Sequence, residues 1–195
     1  MADEISLGPD RVALMAELAR LAFAASQLST PLDEAQFNWR PDGGKAWSVG
    51  QCLDHLVRAN RCYLDALEEA VRAARAPATS EPPALQPGRL GRWFLGVLEP
   101  PVRLKSKAPK KIEPAARCPK PATLVAYAGE QQRLIDLVRA TGRINCNVIR
   151  FRNPLAYGLR TFNVATGLLV IPAHERRHLA QAQRVVARPD FPGAG

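Results

Sequence analysis

Two histidines near the C-terminal end of the chain have the spacing of a helical metal site. His174 and His178 are four residues apart, which places both imidazoles on one face of an α-helix, one turn apart, where they can bind the same metal ion. The same face also carries small and apolar residues, namely Gly167, Ile171, Ala182 and Val185. A stripe of this kind turns toward the core of a helical bundle. Because neutral imidazoles in an apolar core need polar partners, a shared metal ion would satisfy both.

The one remaining histidine, His55, belongs to a different predicted helix far upstream. In an antiparallel bundle, the ligands of one metal ion come from facing helices. Three imidazoles with an open position are typical of a catalytic site rather than a structural one. A divalent cation held in this way can lower the pKa of a water molecule to about 7, or hold a thiolate ready for attack. The alternative is three unrelated core or surface histidines.

Residues 174–178 also match H-E-x-x-H, the signature of zinc proteases in which Glu175 would be the general base. A protease of that class needs a third ligand, commonly a Glu or His further along the chain. Neither occurs after His178, where Asp190 is the only carboxylate side chain. We therefore expect Glu175 to be a proton shuttle or a partner of the ligands, although one residue along a helix turns it about 100° from His174. Arg58, one turn from His55, is a candidate for holding an anionic group.

Hydrophobic periodicity predicts four long helices, over residues 10–28, 49–76, 122–140 and 163–187. Ser48 and Gln51 form a capping box at the start of the second helix. The main stripe of that helix is Val49, Leu53, Leu56, Asn60, Leu64, Leu67 and Val71, and the stripe of the third is Leu124, Tyr127, Gln131, Leu134 and Val138. Pro172 is expected to kink the last helix just before the histidine pair.

A second stripe on the His55 helix consists of small residues: Cys52, Ala59, Cys62 and Ala66. Small side chains leave room beside His55, as a ligand pocket requires. Close packing of another helix against them explains the pattern equally well.

A proline-rich crossover separates the second and third helices. Ten of the 17 prolines lie between Pro77 and Pro121, so the segment should be mostly irregular, with one short helix near Arg89–Leu98. So long a loop is usually functional or disordered, and this one could cover the mouth of a site with its lysines facing an anionic ligand. After the third helix, residues 147–154 form an alternating, extended piece. Trp39 and Trp47 flank an earlier loop and are expected to pin it onto the bundle.

The net charge of +9 is concentrated in this crossover, where residues 103–120 contain seven Lys or Arg and the single acidic residue Glu113. Such an excess of positive charge favours binding to nucleic acid, to an acidic surface or to an anionic substrate. Because residues 103–120 contain three prolines and no aromatic residue to stack on a base, we favour a solvated basic loop and disfavour nucleic acid. A basic nucleic-acid-binding module remains the competing interpretation.

The length and composition of the chain favour one domain spanning residues 1–195. No apolar run approaches the roughly 18 residues of a membrane span, and the N-terminus lacks the pattern of a secretory signal, so we expect no membrane association. The four cysteines include no C-x-x-C pair, which predicts free thiols in a reducing cytoplasm.

Two stretches together, Trp47–Leu56 and His174–Val185, resemble the DinB-like superfamily, which includes the YfiT-type metal-dependent hydrolases. The similarity extends from the first helix to Pro192. It implies an all-α, four-helix bundle, often dimeric, that binds a divalent metal ion of the zinc or nickel type. The family's ligand on the second helix corresponds to His55, and its C-terminal pair corresponds to His174 and His178.

Relatives in that superfamily include thiol-dependent S-transferases and a mycothiol-dependent maleylpyruvate isomerase. The resemblance therefore implies hydrolase or thiol S-transferase chemistry on a small anionic or thiol substrate, in a homodimer. The competing hypothesis is a non-catalytic bundle whose metal ion only holds the helices together.

Overall fold

The computed structural model describes residues 7–74, 79, 81–100, 107–155 and 162–193. Within these residues the chain is mostly helical, as the all-α prediction requires. The α-helices are α1 (Pro9–Ser29), α2 (Glu34–Asn38), α3 (Pro41–Gly44), α4 (Val49–Ala73), α5 (Arg89–Leu98), α6 (Lys120–Ala140) and α7 (Val164–Val186). One 3-10 turn (Lys110–Ile112) and two short strands, β1 (Arg150–Phe151) and β2 (Phe162–Asn163), complete the described elements.

The four longest helices, α1, α4, α6 and α7, are the four that the periodicity predicted. The predicted capping box of α4 is confirmed: Oγ of Ser48 accepts the backbone N–H of Gln51 at 3.0 Å, and Oε1 of Gln51 accepts the backbone N–H of Ser48 at 3.2 Å. Helix α4 ends at Ala73, earlier than predicted, because Ala74 is extended. Helix α7 runs through Pro172, which has no N–H to donate within it.

Helix α4 is central in the packing, since it contacts both α6 and α7, while α1 packs against α6 and α7. Helix α7 packs closely against α4 at Gly167, where an added Cβ would lie 2.6 Å from Cδ2 of Leu67 and 2.9 Å from Cε1 of Phe151. The side chains of Leu67 and Phe151 would have to shift to admit a larger residue at this position. The histidine pair lies farther along α7, directly before Leu179, which belongs to the same apolar cluster as Leu53 and Leu56 of α4.

Helix α1 alone among the described helices is long and apolar enough, by length and composition, to cross a membrane, which the sequence analysis did not expect. Core helices of soluble proteins meet the same criterion. Arg11 of α1 is fully buried, and it donates to Oγ1 of Thr141 at 3.4 Å and to the carbonyl of Ile144 at 3.1 Å. These bonds tie α1 to the loop that follows α6.

Among the short elements, helix α2 was not predicted. Helix α2 begins with its own capping box, formed by Asp33 and Gln36, but it is too short to show periodicity. The strands pair antiparallel, Phe151 opposite Phe162, so the extended piece near 147–154 finds a partner just before α7. The turn that Pro41–Gly44 form is marked by positive φ angles at Asp42, Gly43 and Gly44.

Residues 79, 81–100 and 107–119 are the described part of the crossover before α6. The predicted short helix is present as α5, which packs against α7. The 3-10 turn packs against α4 and buries Ile112. Two basic residues of the 103–120 segment, Arg103 and Lys105, lie outside the described residues.

Candidate metal centre

The three histidines converge between α4 and α7. Nε2 of His55 lies 3.2 Å from Nε2 of His174. The ring centroids are 5.0 Å apart for His55 and His174, 4.5 Å for His55 and His178, and 4.6 Å for His174 and His178. Each ring offers one ligand nitrogen, and these nitrogens all lie within 4.8 Å of one another. The predicted ligand set therefore forms a single cluster that could hold a metal ion.

Two of the three rings have their Nδ1 atoms engaged, which leaves Nε2 available. Nδ1 of His55 lies 2.7 Å from the backbone carbonyl of Ile112, to which it donates. Nδ1 of His178 lies 3.1 Å from Oε1 of Gln181, a second acceptor. An oxygen that accepts from one ring nitrogen fixes the tautomer and directs the lone pair of the other nitrogen toward a metal ion. Both rings thus have the orientation that a ligand histidine needs.

The cluster has the uncharged imidazoles that metal ligation requires. Burial lowers the pKa of His55 below 6.5 and that of His178 to about 3. The pKa of His174 is lowered well below 6.5, first by desolvation and then by its two histidine neighbours. Since a metal ion binds the neutral ring, no proton has to be displaced at neutral pH.

The spacing and chemistry of the donors fit a divalent transition-metal ion. Ligand atoms on one tetrahedral ion with bonds of about 2.1 Å are roughly 3.4 Å apart, and the two Nε2 atoms of His55 and His174 are 3.2 Å apart. Imidazole nitrogens suit zinc and nickel, among other transition metals. With three protein ligands a tetrahedral ion keeps one position open for water or substrate.

Trp47 forms one wall of the cluster. Its ring centroid lies 4.9 Å from that of His55 and 5.8 Å from that of His178, with the second pair stacked at 28°. Trp47 was expected to anchor a loop, and it also begins the stretch Trp47–Leu56 that resembles the DinB-like superfamily. Its place directly before the capping residue Ser48 of the His55 helix was the signal that it stands near the site. Trp39, by contrast, packs edge-on against Phe191 at 5.4 Å.

Glu175 is fully buried, and its hydrogen bonds in the described structure go to α4 and α6. Asn60 donates to Oε1 of Glu175 at 2.6 Å, and Nε2 of Gln131 donates to the same oxygen. Burial raises the pKa of the Glu175 carboxyl to about 7 against the opposing effect of these bonds. The carboxyl group therefore changes protonation near neutral pH.

Arg58 lies on the exposed side of α4, where its Nε donates to Asp54 at 2.8 Å. Asp54 also accepts the backbone N–H of Ala115 at 2.8 Å, so this ion pair helps to hold the crossover. Arg177, which the sequence did not indicate, acts electrostatically on the three histidines. Its positive charge lowers the pKa of all three histidines, and it donates to the carbonyl of Val97 at 3.1 Å.

The chain's own thiols are poor candidates for a nucleophile. All four cysteines are free, as predicted. Burial raises the pKa of Cys52, one turn before His55, to about 12, and that of Cys118 to about 11. Since the thiolate is the reactive form, neither Cys52 nor Cys118 is suited to act as a nucleophile at this site.

The basic crossover reaches the cluster through the 3-10 turn. The carbonyl of Ile112 binds His55, and the side chains of Lys110 and Lys111 directly before it are exposed. Two positive side chains thus directly precede the residue whose carbonyl orients His55.

Comparison with known proteins gives one result. No curated protein and no solved structure matches the chain. The sequence profile of the DinB superfamily matches residues 17–182, a range that contains all three histidines. The chain belongs to the DinB superfamily.

Proposed function

We propose that this protein is a metal-dependent enzyme, built as a four-helix bundle with a proline-rich crossover, that binds one zinc or nickel ion through His55, His174 and His178. Its chemistry is hydrolysis or thiol S-transfer on a small anionic or thiol-bearing substrate. The observation that carries the proposal is the meeting of three neutral imidazoles from two helices, with Nδ1 of His55 and of His178 already bound to oxygen acceptors.

When bound, the cation would supply Lewis acidity to a water molecule, a thiol or a carbonyl oxygen at the open position. The chain supplies orientation and exclusion of water. Ile112 and Gln181 fix the rings of His55 and His178, and Trp47 covers one side of the cluster. Because burial raises the pKa of the Glu175 carboxyl to about 7, this group can act as a proton shuttle.

Positive charge near the cluster supports an anionic substrate. Arg177 acts on all three rings, and Lys110 and Lys111 are exposed beside the carbonyl that binds His55. Arg58 is paired with Asp54 and would have to exchange that partner for a substrate. Arg177 and Arg58 are therefore both candidates for recognition of an anion.

We further propose a cytoplasmic homodimer. Four free cysteines support a reducing compartment. Val12 and Phe23, both on α1 and at least half exposed, offer an apolar surface to a second copy. Light scattering of the purified protein at several concentrations tests the dimer, and a monomer throughout would remove it.

A screen of the metal-loaded protein tests catalysis. It should include ester substrates and electrophiles offered together with mycothiol-like or bacillithiol-like donors. Turnover that disappears with a chelator and in the His55→Ala variant supports an enzyme. A sharp fall of the melting temperature with chelator, without turnover of any substrate, supports the non-catalytic bundle instead.

The competing hypothesis is that the basic residues 103–120 bind nucleic acid. Lys107, Lys110, Lys111 and Arg117 are its exposed basic residues within the described structure. A steep fall of DNA affinity with salt would support that function, because phosphate contacts release counterions. The absence of binding at low salt would dispose of it.

A further inference from the structure

A buried polar cluster lies behind the ligand histidines, at the junction of three helices. Its centre is Glu175 of α7, whose Oε1 accepts from Asn60 of α4 and from Gln131 of α6. The exposed fractions of these three residues are 0%, 1% and 3%. One carboxylate oxygen therefore joins α7 to both neighbouring helices in the interior.

The cluster is linked to the ligands through the helices themselves. Glu175 follows His174 directly and precedes His178 by less than one turn. An α-helix turns as a unit, about 100° per residue, so fixing the direction of Glu175 also fixes the direction of both histidines. Asn60 and His55 both belong to α4, so the direction of the Asn60 side chain is likewise tied to that of His55. The hydrogen bond between Asn60 and Glu175 thus sets the rotation of α7 relative to the helix that carries the third ligand.

The cluster is costly in terms of stability. Four of its buried oxygens have no hydrogen-bond partner of good geometry, namely Asn60 Oδ1, Tyr127 OH, Gln131 Oε1 and Glu175 Oε2. The hydroxyl of Tyr127 forms side-chain hydrogen bonds with both Glu175 and Gln131 that act on its pKa, although neither contact meets strict hydrogen-bond geometry. Unpaired buried polar atoms destabilise a fold, and apolar residues of similar size are often better in such places. Stability alone therefore does not account for these residues.

We propose that Glu175 is a positioning residue of the metal centre, and that Asn60 and Gln131 hold it so that His174 and His178 face His55. This inference rests on the proposed metal centre. It assigns Glu175 a role that needs its hydrogen-bond acceptor and its shape, and not its negative charge.

The role predicts different results for two substitutions at the same position. Glu175→Ala removes the acceptor and frees the rotation of α7. Glu175→Gln keeps an oxygen that accepts from Asn60 and Gln131, and its new amide can donate to the oxygens that lack partners. The alanine variant should therefore lose metal affinity, and the glutamine variant should keep it.

The experiment is a titration of zinc and of cobalt into the metal-free full-length protein, in competition with a chelator of known affinity. Residues that orient metal ligands typically change affinity by about 10–100-fold, so we expect losses of that size in Glu175→Ala and Gln131→Ala. The visible spectrum of bound cobalt should also change in both, since it reports ligand geometry. Leu134→Ala is the matched control, because Leu134 is fully buried on the same helix as Gln131. It should lower the melting temperature and leave zinc affinity and the cobalt spectrum unchanged.

Three results would overturn the positioning role, provided that the wild-type protein binds zinc. The first is unchanged affinity and spectrum in Gln131→Ala and Glu175→Ala. The second is an equal loss in Leu134→Ala, and the third is a loss in folded Glu175→Gln, which would assign the role to the negative charge. If Glu175→Ala does not fold, Gln131→Ala and Glu175→Gln decide the question. Failure of the wild-type protein to bind any metal would instead overturn the proposed function.

Discussion

Nε2 of His55 and Nε2 of His174 face each other at 3.2 Å, although 119 residues separate them in the chain. Two neutral imidazoles at this distance make either one hydrogen bond or two bonds to a shared cation. Because Nδ1 of His55 donates to the carbonyl of Ile112, its Nε2 presents a lone pair toward His174.

Metal binding should stabilise the protein. A ligand that binds only the folded state adds about 2.7 kcal/mol when its free concentration is about one hundred times its dissociation constant. We expect a chelator to lower the melting temperature and added zinc or nickel to restore it. In the His178→Ala variant neither addition should move the melting temperature, and an equal shift there would show that the metal binds elsewhere.

The metal-free protein should lose stability as the pH falls below 6.5. Burial lowers the pKa of each imidazole, to about 3 for His178, so the unfolded chain binds more protons than the folded protein in this range. For one such group the loss at pH 4 is on the order of a few kcal/mol. Denaturation by urea between pH 4 and 8, in the presence of a chelator, measures the trend.

Glu175 should oppose this trend. Its pKa is raised from 4.5 to about 7, so between these values the folded protein binds a proton that the unfolded chain has already released. Its contribution to stability is therefore present at low pH and declines as the pH rises through that range. In Glu175→Gln the fall of stability toward acid should become steeper than in the wild-type protein. A slope that is unchanged in the variant would contradict the shifted pKa.

Arg177 should influence the histidines electrostatically. Its charge lowers the pKa of all three rings, so Arg177→Gln should raise these pKa values in the metal-free protein. Titration of the imidazole protons by NMR measures the shifts. Arg184→Gln, an exposed position on the same helix, removes the same charge and serves as the control. Equal shifts in both variants would mean that only net charge matters.

The contact between α4 and α7 should not tolerate a side chain at residue 167. A Cβ there would meet Leu67 and Phe151, so Gly167→Ala should lower the free energy of unfolding by about 1–3 kcal/mol. Gly129→Ala is the matched control, because Gly129 lies in α6 with open space around it. That change should raise the free energy of unfolding by up to about 1 kcal/mol. Chemical denaturation compares the two, and a neutral Gly167→Ala would mean that the helices can separate there.

The sequence was informative where the signal is local. The four-residue spacing of His174 and His178 and the capping box at Ser48 each depend on a few neighbouring residues, and periodicity identified the four long helices. Asn60 and Gln131 were visible as polar members of otherwise apolar stripes, which is a signal that a buried polar cluster leaves. Their common partner Glu175 became clear only when three helices were brought together.

Other features depend on contacts between distant segments, which composition and periodicity do not encode. The carbonyl of Ile112 reaches His55 because the crossover folds back onto α4, and any residue type could supply that carbonyl. The strand pair forms between two segments that are each only two residues long. The stacking of Trp47 on His178 likewise requires the N-terminus of α4 to meet the middle of α7.

Elemental analysis of protein purified without a histidine tag tests the central claim most directly. The wild-type chain should contain close to one zinc or nickel ion, and His55→Ala, His174→Ala and His178→Ala should each lose it while remaining folded. Cys62→Ser, a change of another metal-ligating residue type on the His55 helix, should keep the ion. Equal metal content in the wild-type protein and in His55→Ala would contradict a site made by all three histidines.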